Sequence, residues 1–446
     1  MTRQPEPDIG ELQETVARAL AIARDDHGAS AADASASFGT GLSVTVRMGD
    51  VETLEYHRNQ GLGITVYFGQ RKGNAGTSDP ADAAIAETVR RACALARYGA
   101  EDGCAGLADA ARLARDIPDL DLYHAWPIEP RQAIDIATEC ESAALDADAR
   151  IANSEGATIG TGTGCRVYGN TNDFLEGYRH SQHSLSCAVL AEEGDRMERD
   201  FEYSVSRIAE ELTGPVAIGR EAAARALGRL GSVKLDTRTA PVLFPARLAR
   251  GLFGHLVAAI SGGSLYRKST FLPDCQGKQV LADFVTIDER PHLHAGLASS
   301  PFDDEGVTTA DRRLVENGVI NGYVLGSYYA RKLGLETTGN AGGIHNLIVA
   351  DTGNSYADLL AEMGSGLLVT ELIGQGVNPV TGDYSRGATG FWVERGEIQY
   401  PVSEITMAGN LKDMYRGILG IGNDVDLRGG IRTGSVLIDE MTIAGN

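Results

Sequence analysis

The sequence predicts an α+β protein with an N-terminal α/β domain over residues 1–232 and a C-terminal β-rich domain over residues 233–446. The chain has 446 residues, which is too long for one ordinary core at about 150 residues per domain. Segments with helical spacing alternate with strand-like segments in the first half. Beyond position 241 the helical segments become fewer and glycine becomes more frequent. Hydrophobic residues make up 43% of the chain and charged residues 23%, as in a globular protein with sizeable cores.

The first elements follow from the spacing of apolar residues. Residues 9–26 are rich in Ala and Glu with apolar positions at helical spacing, which predicts a helix. From Leu42 apolar and polar residues alternate, and a turn at Gly49 and Asp50 follows. Two further strands are predicted over residues 51–56 and 61–68. Together these strands form an antiparallel meander.

Helices and a second series of strands follow. The Asp79-Pro80 pair with Asp82 behind it predicts a helix over residues 80–97, since proline and acidic residues favour a helix N-terminus. A third helix is predicted from about 129 to 148, and a fourth over residues 219–230. Between them a strand-rich stretch is predicted, in which the glycine-rich residues 160–164 form a flexible turn rather than a phosphate-binding loop.

In the second half the pattern favours strands, with one buried helix. Residues 233–241 are predicted to cross between the domains, and residues 247–261 to form an amphipathic helix. The strand-like runs are at residues 313–323, 367–372, 390–393 and 436–444.

The helix at residues 247–261 has the outline of a zinc-protease helix but lacks its chemistry. A zinc hydrolase needs a carboxylate beside its ligand histidine and a second imidazole one turn later. His255 is followed instead by Leu256, and Ala259 or Ile260 stands one turn on. Because an aliphatic side chain can neither bind a metal ion nor accept a proton, we predict that this helix is structural.

Other clusters are weaker candidates for chemistry. The pairs His180/His183 and His292/His294 have spacings that metals can use, but no local Cys or Asp completes either set. Arg267 and Lys268 follow the buried helix among small residues, where a solvated loop or a carboxylate-binding groove is expected. The six cysteines are scattered singly, so free buried thiols are expected.

Composition excludes some partners and compartments. The net charge of −21 opposes contact with nucleic acid, since binding to phosphates depends on Lys and Arg. No apolar run approaches the ~20 residues of a membrane span, and residues 1–8 lack the apolar core of a secretory signal. A cytoplasmic protein without membrane contact is therefore expected.

Several stretches resemble the TldD/PmbA family, also called the modulator of DNA gyrase family, and within it the PmbA (TldE) branch. The resemblance spans most of the chain and is carried by residues 61–67, 251–257, 263–271, 339–346, 369–372, 382–387, 400–405 and 408–413. It implies an N-terminal α/β domain, a β-rich C-terminal domain, and dimers that enclose a cavity in which unfolded peptides are cut.

The resemblance also implies where a zinc site would stand. In the TldD branch zinc is held by an H-E-x-x-x-H helix and a cysteine near the C-terminus. In this sequence the first histidine corresponds to His255, the glutamate to Leu256, the second histidine to Ile260, and the cysteine to about Thr433. The expectation is therefore that no catalytic residue and no metal ligand is present here. His255, Arg267 and Lys268 remain candidates for a peptide groove.

Three functions are compatible with the sequence. The first is a noncatalytic subunit of a cytosolic metalloprotease that cuts unfolded peptides, in peptide-antibiotic maturation or degradation of antitoxin-type peptides. This chain would bind no cofactor, and a TldD-like partner would supply zinc, although a homodimer is also possible. The second is a regulatory protein acting on DNA gyrase or its toxins. The third is an enzyme with an unrecognised metal site built from His180, His183 or His345.

Overall fold

The structure, a computed structural model, describes residues 8–445 and confirms the α+β class. The elements of the first half are α1 (Ile9–Ala21), β1 (Ala31–Arg47), β2 (Asp50–Phe68), β3 (Arg71–Thr77), α2 (Asp82–Tyr98), α3 (Pro130–Leu145), β4 (Ile151–Asn170), β5 (Phe174–Glu193), β6 (Arg196–Ser206) and α4 (Pro215–Arg229). The six strands form one antiparallel sheet in the order β3-β2-β1-β4-β5-β6.

One face of this sheet carries two separate helix layers. Strand β1 has 17 residues and is therefore about 55 Å long. Its first part packs Ala32, Ala34 and Ala36 against α1 and α2. Its last part packs Leu42 and Val46 against α3 and α4. A long strand thus lets one sheet support two cores side by side.

The structure corrects three predictions for this region. Strand β1 begins at Ala31 rather than Leu42, because alternate small alanines pack beneath α1 and α2. Residues 51–68 form one strand instead of two. The glycine-rich residues 160–164 lie inside β4 and do not form a turn.

The glycines of β4 serve close packing between strands. A Cβ on Gly164 would lie 3.0 Å from the ring of His180 on β5, and one on Gly160 would lie 3.0 Å from the Ser184 hydroxyl. Glycine at these positions therefore leaves room for side chains of the neighbouring strand.

The second half begins with β7 (Arg238–Phe244), α5 (Ala246–Ala259), α6 (Gly262–Tyr266), β8 (Ile287–Arg290), β9 (Arg312–Glu316), β10 (Val319–Ile320), α7 (Ser327–Leu333) and β11 (Asn346–Val349). It continues with α8 (Tyr356–Met363), β12 (Gly366–Ile373), β13 (Asp383–Glu394), β14 (Glu397–Asn410), α9 (Leu411–Arg416), β15 (Ile418–Ile421), β16 (Ile431–Arg432) and β17 (Val436–Ala444). Short α6 lies where a loop was expected after the buried helix.

The strands of the second half form two sheets around one large core. Their orders are β14-β13-β12-β7-β17-β15 and β10-β9-β8-β11-β16. Leu252, Phe253 and Leu256 of α5 join the same core as Val242 of β7 and Leu347 of β11. The helix α5 therefore packs between elements of both sheets. On the other face of the six-stranded sheet, α8 buries Leu359 and Leu360 against Leu368.

Polar contacts join the two halves. The guanidinium of Arg207, at the end of β6, donates to the carbonyl oxygens of Gly296 at 2.9 Å and Leu297 at 3.0 Å. Arg229 of α4 pairs with Glu371 of β12 at 2.8 Å. Over residues 8–445, none of the helices has the length and apolar character needed to cross a membrane.

The crossing of α3 and α4 depends on a glycine, and this gives a prediction. A Cβ on Gly219 would lie 2.1 Å from the backbone oxygen of Cys140. Gly219→Ala should therefore lower the free energy of unfolding by about 3 kcal/mol, because backbone must move to admit the methyl group. Chemical denaturation measures this change.

Gly251, in the middle of α5, supplies the matched control. A Cβ there would meet nothing within 4 Å. Gly251→Ala should raise the free energy of unfolding by about 1 kcal/mol, since alanine favours a helix over glycine. Equal effects of the two substitutions would contradict the packing described for α3 and α4.

Candidate functional site

The helix α5 supplies His255 to the candidate site and buries the residues around it. Leu256 is 1% exposed and Ile260 is 0% exposed. Both lie in the core that α5 shares with the two sheets. At these two positions the structure therefore uses aliphatic volume to fill the core.

His255 lies half-buried at the edge of that core. Its ring stands perpendicular to the ring of Tyr384, on β13, with 6.4 Å between the ring centroids. Burial lowers the pKa of His255, and the positive charge of Arg386 lowers it further. The imidazole is therefore held in its neutral form.

Tyr384 and Arg386 present hydrogen-bond donors beside His255. Tyr384 is 2% exposed, and its hydroxyl makes no hydrogen bond of normal geometry to residues 8–445. Burial raises its pKa to about 12, although the nearby Arg386 opposes the rise. The Nε of Arg386 is also buried without a partner in the described chain, and its Nη2 donates to the carbonyl oxygen of Leu372 at 3.3 Å.

Thr433 stands just after β16 and is 0% exposed. Its hydroxyl donates to the carbonyl oxygen of Gly434 at 3.0 Å. Leu256 and Ile260 are aliphatic. Of the four positions that correspond to the zinc site, only His255 therefore carries an imidazole or a thiol. The residues present do not fit a zinc ion, and the guanidinium of Arg386 beside His255 adds electrostatic repulsion of a cation.

Arg267 and Lys268 are exposed just after α6. The Arg267 guanidinium donates to the Tyr329 hydroxyl of α7 at 3.1 Å. Tyr384 and Arg386 lie near His255. Arg267 instead contacts α7. The grouping of His255, Arg267 and Lys268 in one peptide groove stays a prediction.

Two other candidate histidines, His183 and His345, make hydrogen bonds within the fold. His183 is fully buried, with Nδ1 2.8 Å from the Thr161 hydroxyl and Nε2 2.9 Å from the backbone oxygen of His124. His345 lies with Nδ1 3.2 Å from Glu289. In the part of the chain that the structure describes, no three His, Cys, Asp or Glu side chains are grouped so that they could hold a metal ion.

Tyr384 and Arg386 belong to no sequence motif that indicates chemistry. Residues 382–387 carry part of the family resemblance, and their spacing is one residue wrong for a G-x-S-x-G serine turn. The two side chains reach His255 because β13 places them two residues apart on one face of the sheet. This register depends on pairing of strands distant in sequence, so no local pattern indicated it.

The family models match almost the whole described chain. The PmbA/TldA metallopeptidase domain 1 matches residues 32–96, the central domain residues 123–230, and the C-terminal domain residues 237–445. The chain is 53% identical to a protein from Escherichia coli O157:H7 named metalloprotease PmbA, over 97% of this chain and 96% of that one.

Solved structures agree with this match. A protein from Bacteroides thetaiotaomicron described as a modulator of DNA gyrase has a TM-score of 0.92 at 27% identity, covering 97% of this chain and 99% of the other. TldE from Thermococcus kodakarensis has a TM-score of 0.80 over 98% of this chain and 100% of its own, and at 19% identity it shows the fold alone. The chain belongs to the PmbA/TldD metallopeptidase family.

The burial of His255 gives a prediction about pH. Because the folded pKa is below the ordinary value of 6.5, the imidazole stabilises the fold fully above pH 6.5. As the pH falls below 6.5, the unfolded chain binds a proton on this imidazole more readily than the folded chain does. The free energy of unfolding therefore decreases. His255→Ala should therefore cost less than about 1 kcal/mol at pH 8 and less still, or nothing, at pH 5.

Urea denaturation of the parent and the variant at both pH values tests this. Exposed His294, replaced by alanine in the same way, controls for the loss of an imidazole as such. A cost of His255→Ala that grows as the pH falls would show that the ring is charged in the fold.

Proposed function

We propose that this chain is the noncatalytic subunit of a two-component zinc protease of the PmbA/TldD family. A TldD-like partner supplies the zinc ion and the catalytic carboxylate, and this chain contributes assembly surface and peptide-binding surface. The substrates are unfolded peptides, of the kind processed in peptide-antibiotic maturation or removed as antitoxins. Both subunits act in the cytoplasm.

The observation that carries the proposal is the burial of Leu256 and Ile260. Hydrolysis of an amide by a metal requires an ion, an activated water and a base to accept its proton. In this chain the positions beside and one turn after His255 belong to the hydrophobic core. The helix therefore has aliphatic side chains in place of the base and the second metal ligand.

The electrostatics of the site support the same proposal. The positive charge of Arg386 lowers the pKa of His255, so it would also oppose a zinc ion bound to that imidazole. Two cations in one half-buried place repel each other strongly because the dielectric constant is low. The same charge attracts a ligand with carbonyl or carboxylate oxygens, and a peptide has both.

A regulatory role on DNA gyrase or its toxins is the second candidate function, and it has weaker support. A direct role on DNA is opposed by the net charge of −21.

Mixing experiments test the proposal. The purified chain alone should leave an unstructured peptide uncut, while an equimolar mixture with a TldD-type partner should cut it and lose activity on adding a zinc chelator. The physical reason is that Leu256 and Ile260 stand where a zinc hydrolase has its base and its second ligand. Cleavage is followed by mass spectrometry of the peptide.

The partner alone is the necessary control, since it shows what this chain adds. Cleavage by this chain alone at the rate of the mixture would refute the proposal. Equal rates for the partner with and without this chain would refute the part that concerns assembly.

A further inference from the structure

Helix α5 has an exposed stripe in which glycine and alanine residues surround His255. Gly251, Gly254, His255 and Ala258 follow one another at helical spacing, and all four are exposed or half-buried. A Cβ on Gly251 or Gly254 would meet nothing within 4 Å. Packing within the chain does not require these glycines, and glycine weakens a helix. A bare helix face permits the close approach of another backbone.

Beside this stripe stand polar groups without partners. The hydroxyl of Tyr384, whose ring contacts His255, is buried and makes no normal hydrogen bond to the described chain. The Nε of Arg386 is likewise unpaired among residues 8–445, while its Nη2 donates to the carbonyl oxygen of Leu372.

The unpaired groups share one chemical character. Each can donate a hydrogen bond, the guanidinium through its Nε and the phenol through its hydroxyl, and the guanidinium lies close enough to the phenol oxygen to lower the pKa of Tyr384. A guanidinium presents parallel N–H groups that match the two oxygens of a carboxylate. The complementary ligand is therefore a carboxylate.

We propose that Arg386 and Tyr384 bind the C-terminal carboxylate of an extended peptide whose backbone lies on the bare face of α5. The inference rests on the proposed function, since it assigns the peptide-binding role of this chain to particular residues. A C-terminal carboxylate fits better than that of an Asp or Glu side chain, because it is attached directly to the main chain that the glycine face admits.

The test is a binding measurement on the full chain by fluorescence anisotropy. Two unstructured peptides of the same sequence are compared, one with a free C-terminus and one with a C-terminal amide. The free acid should bind about tenfold more tightly, as expected for a hydrogen bond to a charged group. Equal binding of acid and amide, or no binding of either, would overturn the proposal.

Variants locate the effect. Arg386→Gln should bring the ratio of acid to amide affinity close to one, while Arg220→Gln, at an exposed position of α4, should leave it unchanged. Tyr384→Phe should reduce the ratio, because it removes one of the two donors. A ratio that survives Arg386→Gln would overturn the proposal.

One further arm separates the two sources of a carboxylate. An amidated peptide with a glutamate near its C-terminus should bind as weakly as the plain amide. Binding as tight as that of the free acid would overturn the assignment to a C-terminus. Cleavage by the mixed subunits without any acid–amide difference would remove this site and leave the proposed function standing. An acid–amide difference without cleavage would support this site and contradict the proposed function.

Discussion

The second half of the molecule depends on the packing of α5 between two sheets. Leu252, Phe253, Leu256 and Ile260 all lie in one core with residues of β7 and β11. At about 25 cal/mol for each Å² of buried apolar surface, every such side chain contributes about 2 kcal/mol. In this chain the positions beside and one turn after His255 are therefore used for apolar packing.

The residues around His255 decide what this place can bind. Around His255 the structure has a neutral imidazole, a buried phenol and a guanidinium, and the Thr433 hydroxyl is already bonded to the backbone. The arginine side chain brings a positive charge that attracts carbonyl and carboxylate oxygens. These residues are the ground for the proposal that this chain binds peptides and leaves their hydrolysis to a partner.

The sequence predicted the fold best where apolar residues follow one clear helical or strand spacing. The buried helix, predicted over residues 247–261, is α5 (Ala246–Ala259), and the strand predicted over residues 436–444 matches β17 (Val436–Ala444). Errors arose where small residues hide the pattern. Residues 31–41 and 160–164 are extended because they pack against helices and neighbouring strands, not because their own side chains favour it. The site was half predictable: His255 came from its motif, but Arg386 and Tyr384 depend on the register of β13.

The most direct test of the account is native mass spectrometry of the complex formed with a TldD-type partner. The measurement reports subunit stoichiometry and metal content together. The account predicts one zinc ion per pair of unlike subunits, carried by the partner when the pair is dissociated in the gas phase, with none on this chain. Zinc retained by this chain at one ion per subunit would contradict it, since the residues around His255 would then have to hold a metal.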